Sequence, residues 1–438
     1  MVSLLVGLLA AFAPSSHTCT TLVVTQQHVS YRHYETIQAA VDAAQPCDWV
    51  LVAPGVYRES VVIRTPRLHL RGMNRNRVIV DGRHTTSNGI EVDKASNVWI
   101  ENLTVRNFNG NHIWWNGGDE SGTIGAQGWW GNYLTTYDTG LKGEYGLFAS
   151  NSVNGGLDHV YASGFNDAGI YIGACRDCRA YVRHALVERN ALGYSGTNAG
   201  GHLIIEDSTF RGNAVGIGPN SLPNDQPPPQ LGTCDSASNT TPTPVIASTR
   251  VQHCTIIRRN TVYANNLTTG PANPTTGSLP WGTGIALVGT YGDWVYKNTV
   301  KGNRNFGIVG FENPTPFPPT AETLYFQFSG NRIEGNVVNG GAYADIAFEG
   351  GLFGEKASVN NCFARNVAKK TLPADLSPWS CDLETTPNPD SATAGTLLGI
   401  LLKLQEENQK HVRKPQPTPP PQHTMPRPCQ GAPRNPLC

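Results

Sequence analysis

The sequence predicts an all-β protein, a right-handed parallel β-helix in which short strands coil into a solenoid behind an N-terminal helical cap. Three observations predict this fold. Strand-like segments that begin with glycine recur at a nearly constant spacing, short β-branched runs lie between them, and asparagines precede several of the glycines at one fixed distance. A constant period is the sequence signature of a repeat architecture. One solenoid can absorb all 438 residues as a single unit, because it grows by adding rungs.

The N-terminus begins with an apolar run, VSLLVGLLAAFA, which a cap helix follows. We expect residues 1–16 to be a signal peptide, because this run has secretory length and is shorter than the roughly 20 residues that span a bilayer. In YETIQAAVDAAQ, Ile37, Ala40 and Val41 share one helical face, which predicts a helix. The segment WVLVAPGVY is then typical of a buried first strand that enters a turn. The β-helix domain is expected to span 17–382.

The repeat is clearest in the middle of the chain. Its strands begin at Gly146, Gly169, Gly193 and Gly216, 23 or 24 residues apart, and GIALV is followed by GIVGF after another 23 residues. Runs such as VWIENLTV and HLIIEDSTF lie between these strands, and they are too short and too polar at alternate positions for helices. This pattern excludes leucine-rich and ankyrin repeats.

Asn166, Asn190 and Asn213 each stand three residues before a repeat glycine. In a coil of this period they would stack in one column and pass amide hydrogen bonds from rung to rung. Alternatively, each is a turn asparagine chosen for its local conformation. Both interpretations give these residues a structural role.

Two Pro-rich stretches interrupt the repeat, near 219–250 and 312–323, and both are typical of surface loops inserted into a rung. From 383 to 438 the repeat is lost. There TLLGILLKL predicts a short amphipathic helix that covers the open end of the coil, where strand edges would otherwise be exposed. The tail KPQPTPPPQHTMPRP is expected to be extended, with polyproline character.

Cysteine usage and charge indicate a secreted, extracellular protein without a nucleic-acid partner. Ten cysteines spread along a chain with an apparent leader favour disulfides in an oxidising compartment. The simplest pairing joins nearest neighbours: Cys19 with Cys47, Cys175 with Cys178, Cys234 with Cys254, Cys362 with Cys381, and Cys429 with Cys438. The lone CxxC is expected to be a turn staple, because no second CxxC supports a zinc site and no thioredoxin-like context supports a redox site. Lys plus Arg equals Asp plus Glu at 33 each, which leaves no basic field for nucleic acid. We expect a monomer with no membrane span.

The cap and one repeat block carry a family likeness. TIQAAVDAA, with VLVAPGVYRESVVI and HLRG after it, resembles the amino-terminal cap of pectin-lyase-like proteins. The block GEYGLFASNSVNGGLDHVYASGFNDAGIYIGACRDCRAYV is similar to bacterial right-handed parallel β-helix repeat proteins that carry an Asp-Ala-Gly-Ile-Tyr strand. The resemblance covers roughly residues 35–370. It implies the fold and a superfamily that includes pectate lyases, polygalacturonases and alginate epimerases, although the fold alone does not give an activity.

The catalytic motifs of those enzymes do not transfer to this chain. VWIEN at 98–102 and LDH at 157–159 echo the Trp-Ile-Asp-His stretch of pectate lyases, but no Arg-x-Pro-x-x-Arg stretch stands at a plausible site. The Asp-Asp, Gly-His-Gly and Arg-Ile-Lys set of polygalacturonases and the Asp-Pro-His-Asp motif of alginate epimerases are also missing. Candidate site residues must therefore come from their positions in the repeat.

Side-chain alternation predicts one outward column along the strands that begin Gly-Ile. In such a strand the residue after the glycine faces the core and the next one faces outward. Applied rung by rung, this rule gives the column Glu91, Trp114, Phe148, Tyr171 and Ser195. Sugar rings stack on exposed aromatic faces through their C–H surfaces. Two interpretations stay open: the column binds sugars, or an inserted loop covers its rings.

A loop long enough to reach this column is predicted between Ile113 and Leu147, which are 34 residues apart, about 11 more than one rung. The extra length contains WWGNYLTTYDTGLKGEY, and long excursions from a rigid scaffold are where binding sites tend to be built. The side chains that it would bring to the column are Trp129, Trp130, Tyr137, Asp138, Lys142 and Glu144. The next rung adds Asp167 before its strand and Arg176 and Asp177 after it.

These side chains suit β-elimination from a uronic acid, which needs a cation for the carboxylate, a base for the C5 proton and an acid for the leaving oxygen. The candidate catalytic residues are Lys142 or Arg176 as the cation, Tyr171, His159 or Lys142 as the base, and Asp167 or Asp177 as orienting groups or Ca²⁺ ligands. The candidate substrate-binding residues are Glu91, Trp114, Phe148, Trp129, Trp130, Asp138 and Asp177. No other cofactor and no further metal site is indicated. The same carboxylates, at a suitable separation, would serve glycoside hydrolysis instead.

The leading hypothesis is a secreted carbohydrate-active protein, a polysaccharide lyase or epimerase acting on uronate-containing glycans. The rival from another class is a non-catalytic glycan-binding or cell-surface β-helix. It is favoured by the structural explanation that each ionisable residue also has: Asp167 as a turn cap, Arg176 and Asp177 as a solvated turn pair, and Asp158 with His159 as surface residues.

Overall fold

The computed structural model of the chain confirms the predicted parallel β-helix. The structure describes residues 17–27, 33–118, 125–175, 177–199, 201–222, 254–315, 324–350 and 360–438. Its strands, numbered β1–β36 along the chain, fall into three parallel sheets that the chain visits in the order A, B, C. Successive turns stack into a right-handed solenoid. The expected signal peptide at 1–16 lies outside the described residues.

The elements in these ranges have the following bounds. Sheet A contains thirteen strands: β1 (Thr21–Val24), β2 (His33–Tyr34), β3 (Trp49–Val52), β6 (His69–Gly72), β9 (Val98–Glu101), β12 (Ala126–Asn132), β15 (Ser152–Asp158), β18 (Ala180–Arg183), β21 (Leu203–Glu206), β24 (Thr255–Arg258), β27 (Trp294–Tyr296), β32 (Arg332–Glu334) and β35 (Cys362–Ala364). Sheet B contains ten: β4 (Gly55–Tyr57), β7 (Val78–Asp81), β10 (Thr104–Arg106), β13 (Thr135–Tyr137), β16 (Tyr161–Ser163), β19 (Leu186–Glu188), β22 (Thr209–Arg211), β25 (Thr261–Tyr263), β28 (Thr299–Lys301) and β33 (Val337–Asn339). Sheet C contains eleven: β5 (Val61–Ile63), β8 (Ile90–Asp93), β11 (Asn111–Asn116), β14 (Tyr145–Ser150), β17 (Ala168–Gly173), β20 (Leu192–Thr197), β23 (Val215–Asn220), β26 (Thr283–Val288), β29 (Phe306–Phe311), β34 (Ala344–Phe348) and β36 (Thr371–Leu372). The other elements are the antiparallel pair β30 (Asn313–Thr315) and β31 (Leu324–Phe326), the helices α1 (Ile37–Ala43) and α2 (Ser391–Gln409), and the 3₁₀ turns Thr276–Ser278 and Ser377–Trp379.

The hydrophobic core is the inside of the coil, where inward side chains of successive rungs stack in register. In sheet C the stacked residues are Ile113, Leu147, Ile170, Tyr194, Ile217, Ile285, Ile308 and Ile346. Each of them is at most 1% exposed. Because side chains alternate along a strand, the residue after each of them faces outward, and this positions the outer column of sheet C.

The predicted cap helix is α1, and it buries Ile37, Ala40 and Val41 as expected. Thr36 caps its first turn, where the hydroxyl accepts a hydrogen bond from the Ala39 amide. Neither helix in the described ranges is long and apolar enough to cross a bilayer.

Asparagine ladders run along the turns, as the sequence predicts, but with one change of membership. Asn190 and Asn213 stack with two further asparagines, Asn265 and Asn303, and each amide is hydrogen-bonded to the next. Asn166 is not part of this ladder, because the Phe165 amide is the group that donates to Asn190. A second ladder lies between sheets A and B: Asn260, Asn298, Asn336 and Asn366.

An aspartate occupies one position of a third ladder, which continues through Asn331 and Asn361. Burial raises the pKa of Asp293 to about 8. The folded protein thus keeps a proton that the unfolded carboxyl releases near its ordinary pKa of 3.8, so the contribution of this group to stability falls as pH rises from about 4 to about 8. We expect Asp293→Asn to stabilise the protein by about 1–3 kcal/mol at pH 8. Urea unfolding at pH 5 and pH 8 checks this, because the gain should shrink at the lower pH; an equal effect at both would contradict it.

The C-terminal helix lies elsewhere than predicted. Instead of covering the open end of the coil, α2 packs along the outer face of sheet C, where Leu397 and Leu404 share a buried cluster with Ala286, Val309 and Ala347. The reason is that the outward positions of β26, β29 and β34 are small and apolar, so this face needs a cover. At the end of the coil, Trp379 packs edge-to-face on Phe348.

After α2 the tail runs back along the solenoid towards its N-terminal end. The Lys414 amide donates to the Thr269 carbonyl, and Gln422 exchanges hydrogen bonds with Asn76. Between 413 and 422 every third residue is buried or half-buried and the others are exposed, which is the period of a polyproline II helix. The predicted extended conformation is therefore confirmed.

Four of the five predicted disulfides are present: Cys19 with Cys47, Cys175 with Cys178, Cys362 with Cys381, and Cys429 with Cys438. Cys254 is disulfide-bonded, but its predicted partner Cys234 lies outside the described residues, as do 223–253 of the first predicted insertion. The second insertion forms the β30–β31 pair, and 316–323 are not described.

Candidate functional site

The outward column of sheet C has the register that the repeat spacing predicts. Cα pairs join Glu91 to Trp114, Trp114 to Phe148, Phe148 to Tyr171, and Tyr171 to Ser195. The column therefore begins with a carboxylate, passes through three aromatic rings and ends at a small hydroxyl side chain.

The rings of this column contact one another and one further ring. Phe148 stacks on Trp114 with centroids 5.5 Å apart and meets Tyr171 edge-to-face at 4.7 Å. Tyr145 stacks on Phe148 at 4.4 Å from the neighbouring outward position of β14. The result is a continuous aromatic surface on β11, β14 and β17.

A groove of about 330 Å³ lies beside this surface on the outer face of sheet C. Its floor comes from strands β14, β17, β20, β23 and β26, and its walls come from the 264–282 loop and the chain after β23. The lining residues are Tyr145, Phe148, Asp167, Tyr171, Leu192, Ser195, Thr197, Asn220, Leu222, Thr275, Thr276, Ser278, Leu279, Val288 and Asn313. Hydroxyl and amide groups thus alternate with rings and aliphatic side chains.

Asp167 supplies the only carboxyl group among the described lining residues. The side-chain amide of Asn273 donates to it at 2.8 Å, and the Tyr145 hydroxyl is its second partner. Burial raises the pKa of Asp167 to about 6, while these two hydrogen bonds act in the opposite direction. A carboxyl group with this pKa can both take up and release a proton near neutral pH.

The 264–282 loop is held against Asp167 by contacts from two directions. The Asn273 amide and the Thr276 hydroxyl both donate to the Asn166 carbonyl, at 2.8 and 2.7 Å. From the other side, Asn408 of α2 donates to the carbonyls of Thr276 and Leu279, both at 3.2 Å. The C-terminal helix thus supports the loop that forms one wall of the groove.

A second cavity of about 150 Å³ adjoins the groove under α2, and the two share four lining residues. It contains Glu312 and Glu349, which are 2% and 3% exposed. The Glu312 amide donates to the Glu349 carboxylate at 2.9 Å. Burial, followed by the charge of Glu312, raises the pKa of Glu349 to about 8. The sequence reasoning missed both residues, although each directly follows a strand of sheet C, in IVGFE and DIAFE.

Two of the four predicted catalytic residues, Asp167 and Tyr171, line the groove. Tyr171 is 5% exposed, and its hydroxyl donates to the Thr197 carbonyl at 3.3 Å. Lys142 is exposed in the turn before β14 and is not among the groove-lining residues. Arg176 lies outside the described residues.

The predicted placement of Trp129 and Trp130 beside the aromatic column is wrong. Both belong to β12, a regular strand of sheet A, so alternation points one ring inward and the other outward. Trp129 is 1% exposed and packs on Trp115 inside the coil, with centroids 5.4 Å apart. The extra residues of this rung lie at 117–125 instead, of which 119–124 are not described.

Trp130 belongs to a separate aromatic ladder on the outer face of sheet A. Its ring stacks on Trp99 at 4.3 Å, Trp99 on His69 at 4.2 Å, and His69 on Trp49 at 4.1 Å. This ladder is on a different face of the solenoid from the groove. Tyr137 is likewise elsewhere, in β13 of sheet B, where its hydroxyl accepts a hydrogen bond from Arg106.

The remaining predicted side chains hold turns or flank the column. Asp138 is 1% exposed and accepts hydrogen bonds from the amides of Gly140 and Gly143. Asp177 pairs with Arg179 at 2.7 Å and with His202 at 2.7 Å, in the turn from sheet C to sheet A. Glu91 accepts a hydrogen bond from the Asn116 side chain at 2.9 Å. Glu144 is exposed before β14.

Comparisons with known proteins give structural likeness only. No family model and no curated sequence matches this chain. Among solved structures, the A-module of mannuronan C-5 epimerase AlgE4 of Azotobacter vinelandii is similar with a TM-score of 0.43 and 13% identity over 76% of this chain and 90% of that one. The A-module of AlgE6 from the same organism gives 0.45 and 13%, over 75% and 88%. A mannuronic acid specific polysaccharide family 6 lyase from human gut microbiota gives 0.43 and 14%, over 76% and 84%. At these values no residue role transfers to this chain.

Proposed function

We propose that the groove on sheet C binds a glycan and that the protein is a secreted carbohydrate-active β-helix, a polysaccharide lyase or epimerase acting on uronate-containing chains. The observation that carries the proposal is Asp167, a carboxyl group with a pKa of about 6 in a groove bordered by aromatic rings. Perturbed carboxyl groups in clefts are typical of functional sites.

The lining of the groove matches the chemistry of a sugar chain. Phe148 and Tyr171 offer apolar ring surface for the C–H faces of a pyranose. Ser195, Thr197 and Asn220 offer donors and acceptors for hydroxyl groups. A mostly pre-formed groove with a few convergent polar groups is the usual form of a small-molecule or oligosaccharide site.

Asp167 and Tyr145 provide the two proton-transfer groups that an elimination requires. The Asp167 carboxylate takes the C5 proton, the electron pair moves to form the double bond, and the glycosidic oxygen leaves with a proton from the Tyr145 hydroxyl. In an epimerase the proton returns to the opposite face of the carbon. The amides of Asn220 and Asn313 are the donors available to the substrate carboxylate, in place of the cation that the sequence analysis assigned to Lys142 or Arg176.

A second candidate function is glycan binding without catalysis. It is favoured by the absence of Lys and Arg among the lining residues that the structure describes, since a uronate would then meet only neutral donors. The two candidates share the site and differ in the role of Asp167.

The deciding experiment is a screen of the purified protein against uronate-containing polysaccharides. Ultraviolet absorbance reports unsaturated lyase products, reducing ends report cleavage, and proton NMR reports C5 epimerisation. We expect one of these signals together with binding. Binding without any product across the panel would favour the second candidate, and absence of binding would contradict both.

Phe148→Ala is expected to weaken glycan affinity by about 3- to 10-fold, because an aromatic contact of this kind contributes roughly 0.5–1.5 kcal/mol. Calorimetric titration with the glycan that scores in the screen measures the change. The matched control is Trp99→Ala, which removes an outward ring that also lies between two stacked neighbours, but on sheet A. Equal losses in the two variants would contradict a site on sheet C.

A further inference from the structure

The turns between sheets A and B bring two imidazoles and one carboxylate together on consecutive rungs. β15 ends at Asp158 and is followed by His159, while β18 ends at Arg183 and is followed by His184. The register pairs Asp158 with Arg183, so the two histidines occupy the same turn position one rung apart. Both histidines have positive φ, 55° and 51°. We name Asp158, His159 and His184 the turn cluster.

The donor atoms of the turn cluster converge. One carboxylate oxygen of Asp158 lies 2.7 Å from Nδ1 of His159 and 2.7 Å from Nδ1 of His184. One ligand atom from each residue lies within 4.8 Å of the other two. The imidazole rings are tilted by 42° with centroids 4.7 Å apart, so they do not stack against each other face-on.

Neighbouring side chains hold this arrangement in place. Arg183 donates from Nε to the second carboxylate oxygen of Asp158 at 2.8 Å, which leaves the first oxygen to the imidazoles. The Tyr133 ring stacks on His159 at 4.6 Å with planes 12° apart. Outer contacts of this kind orient metal ligands and set their geometry. The side chains of His159 and His184 are 42% and 49% exposed, so an ion can reach them from solvent.

We propose that the turn cluster binds one divalent first-row transition-metal ion, of which Zn²⁺ is the reference. Two imidazole nitrogens and one carboxylate oxygen are a ligand set that suits such ions, at bond lengths of about 2.0–2.2 Å. The ion replaces the two protons that Asp158 shares with the imidazoles, and separation of these atoms by a few tenths of an ångström makes room for it. Water completes the coordination. The cluster is too poor in oxygen for Ca²⁺, which takes about 6–8 oxygen ligands.

A bound ion would connect two rungs of the solenoid at a turn. The turn cluster lies between sheets A and B, whereas the glycan groove lies on sheet C, so this proposal stands independently of the proposed function. The guanidinium of Arg183 beside the carboxylate and the open coordination positions make an exchangeable site rather than a closed structural one.

The test is a calorimetric titration of the full-length, chelator-treated protein with Zn²⁺. We expect saturation at one ion per chain. His159→Asn and His184→Asn each remove one ligand and keep a residue that tolerates positive φ. Each should lower the affinity by at least about 100-fold, beyond the 10- to 100-fold typical for loss of an outer contact. His423→Asn, an exposed histidine on the tail, is the matched control and should bind like the wild type.

Two further measurements keep the test decisive. Circular dichroism verifies the fold of each variant, and Asp158→Asn replaces any histidine variant that does not fold. Co²⁺ in place of Zn²⁺ should give visible absorption in the wild type that both histidine variants lose, and excess Ca²⁺ should not displace it. The proposal is overturned by absence of saturable Zn²⁺ binding, by unchanged affinity in both histidine variants, or by displacement with Ca²⁺.

Discussion

Asp167→Asn is expected to lower the turnover of a uronate glycan by roughly 100- to 10,000-fold, the usual contribution of one positioned proton-transfer group. The substitution keeps the size and the hydrogen-bonding capacity of the side chain beside Asn273, but it removes the group that exchanges the proton. Affinity measured by calorimetry should stay within a few-fold of wild type, because the rings and hydroxyls of the groove are unchanged. Initial rates at saturating substrate give the turnover.

The pH dependence gives an independent measurement of the same residue. Because burial raises the pKa of Asp167 to about 6, the base form accumulates as pH rises through 6, and wild-type turnover should increase across that interval. Asp293→Asn is the matched control, since it also replaces a buried aspartate with a raised pKa but leaves the groove intact. If Asp167→Asn retained wild-type turnover, Asp167 would be a structural turn residue and the site would have to lie elsewhere, with the Glu312 and Glu349 pair as the next candidate.

The sequence was sufficient to predict the strand register that builds the site. A spacing of 23 or 24 residues returns each strand to the same place in the coil, so the outward column from Glu91 to Ser195 follows from counting and alternation alone. The asparagine ladder follows from the same count. It failed at Asn166, where the longer spacing of 24 residues moves Phe165 into the ladder position.

The walls of the groove could not be predicted, because they come from distant parts of the chain. Asn273 contacts Asp167 across 106 residues, and Asn408 contacts Thr276 across 132. No local pattern encodes such contacts. The same limit explains the error at Trp129: the distance from Ile113 to Leu147 shows that extra residues exist, but not that they fall before β12 rather than after it. Placing α2 would have required noticing that Ala286, Val309 and Ala347 form an apolar stripe.

Asn213→Ala is expected to destabilise the protein by about 3–5 kcal/mol, since each buried polar group left without a partner costs roughly 1–3 kcal/mol. The Asn213 side chain donates to the Val187 carbonyl at 3.1 Å and to Asn265 at 2.9 Å. It also accepts from the backbone and side-chain amides of Asn190, both at 3.0 Å. Alanine removes all four hydrogen bonds in a position that is 0% exposed, where water cannot replace them. Urea unfolding followed by circular dichroism measures the loss.

A solenoid need not unfold in one step, because each rung contacts only its neighbours. Hydrogen exchange at the Asn190 amide therefore complements the global measurement: its protection should fall more than that of amides several rungs away, if the ladder stabilises locally. Asn339→Ala, at the exposed end of β33, is the control and should change stability by no more than about 0.5 kcal/mol. If both variants lost the same small amount, the asparagines would act through turn conformation alone, and the ladder would record the fold without stabilising it.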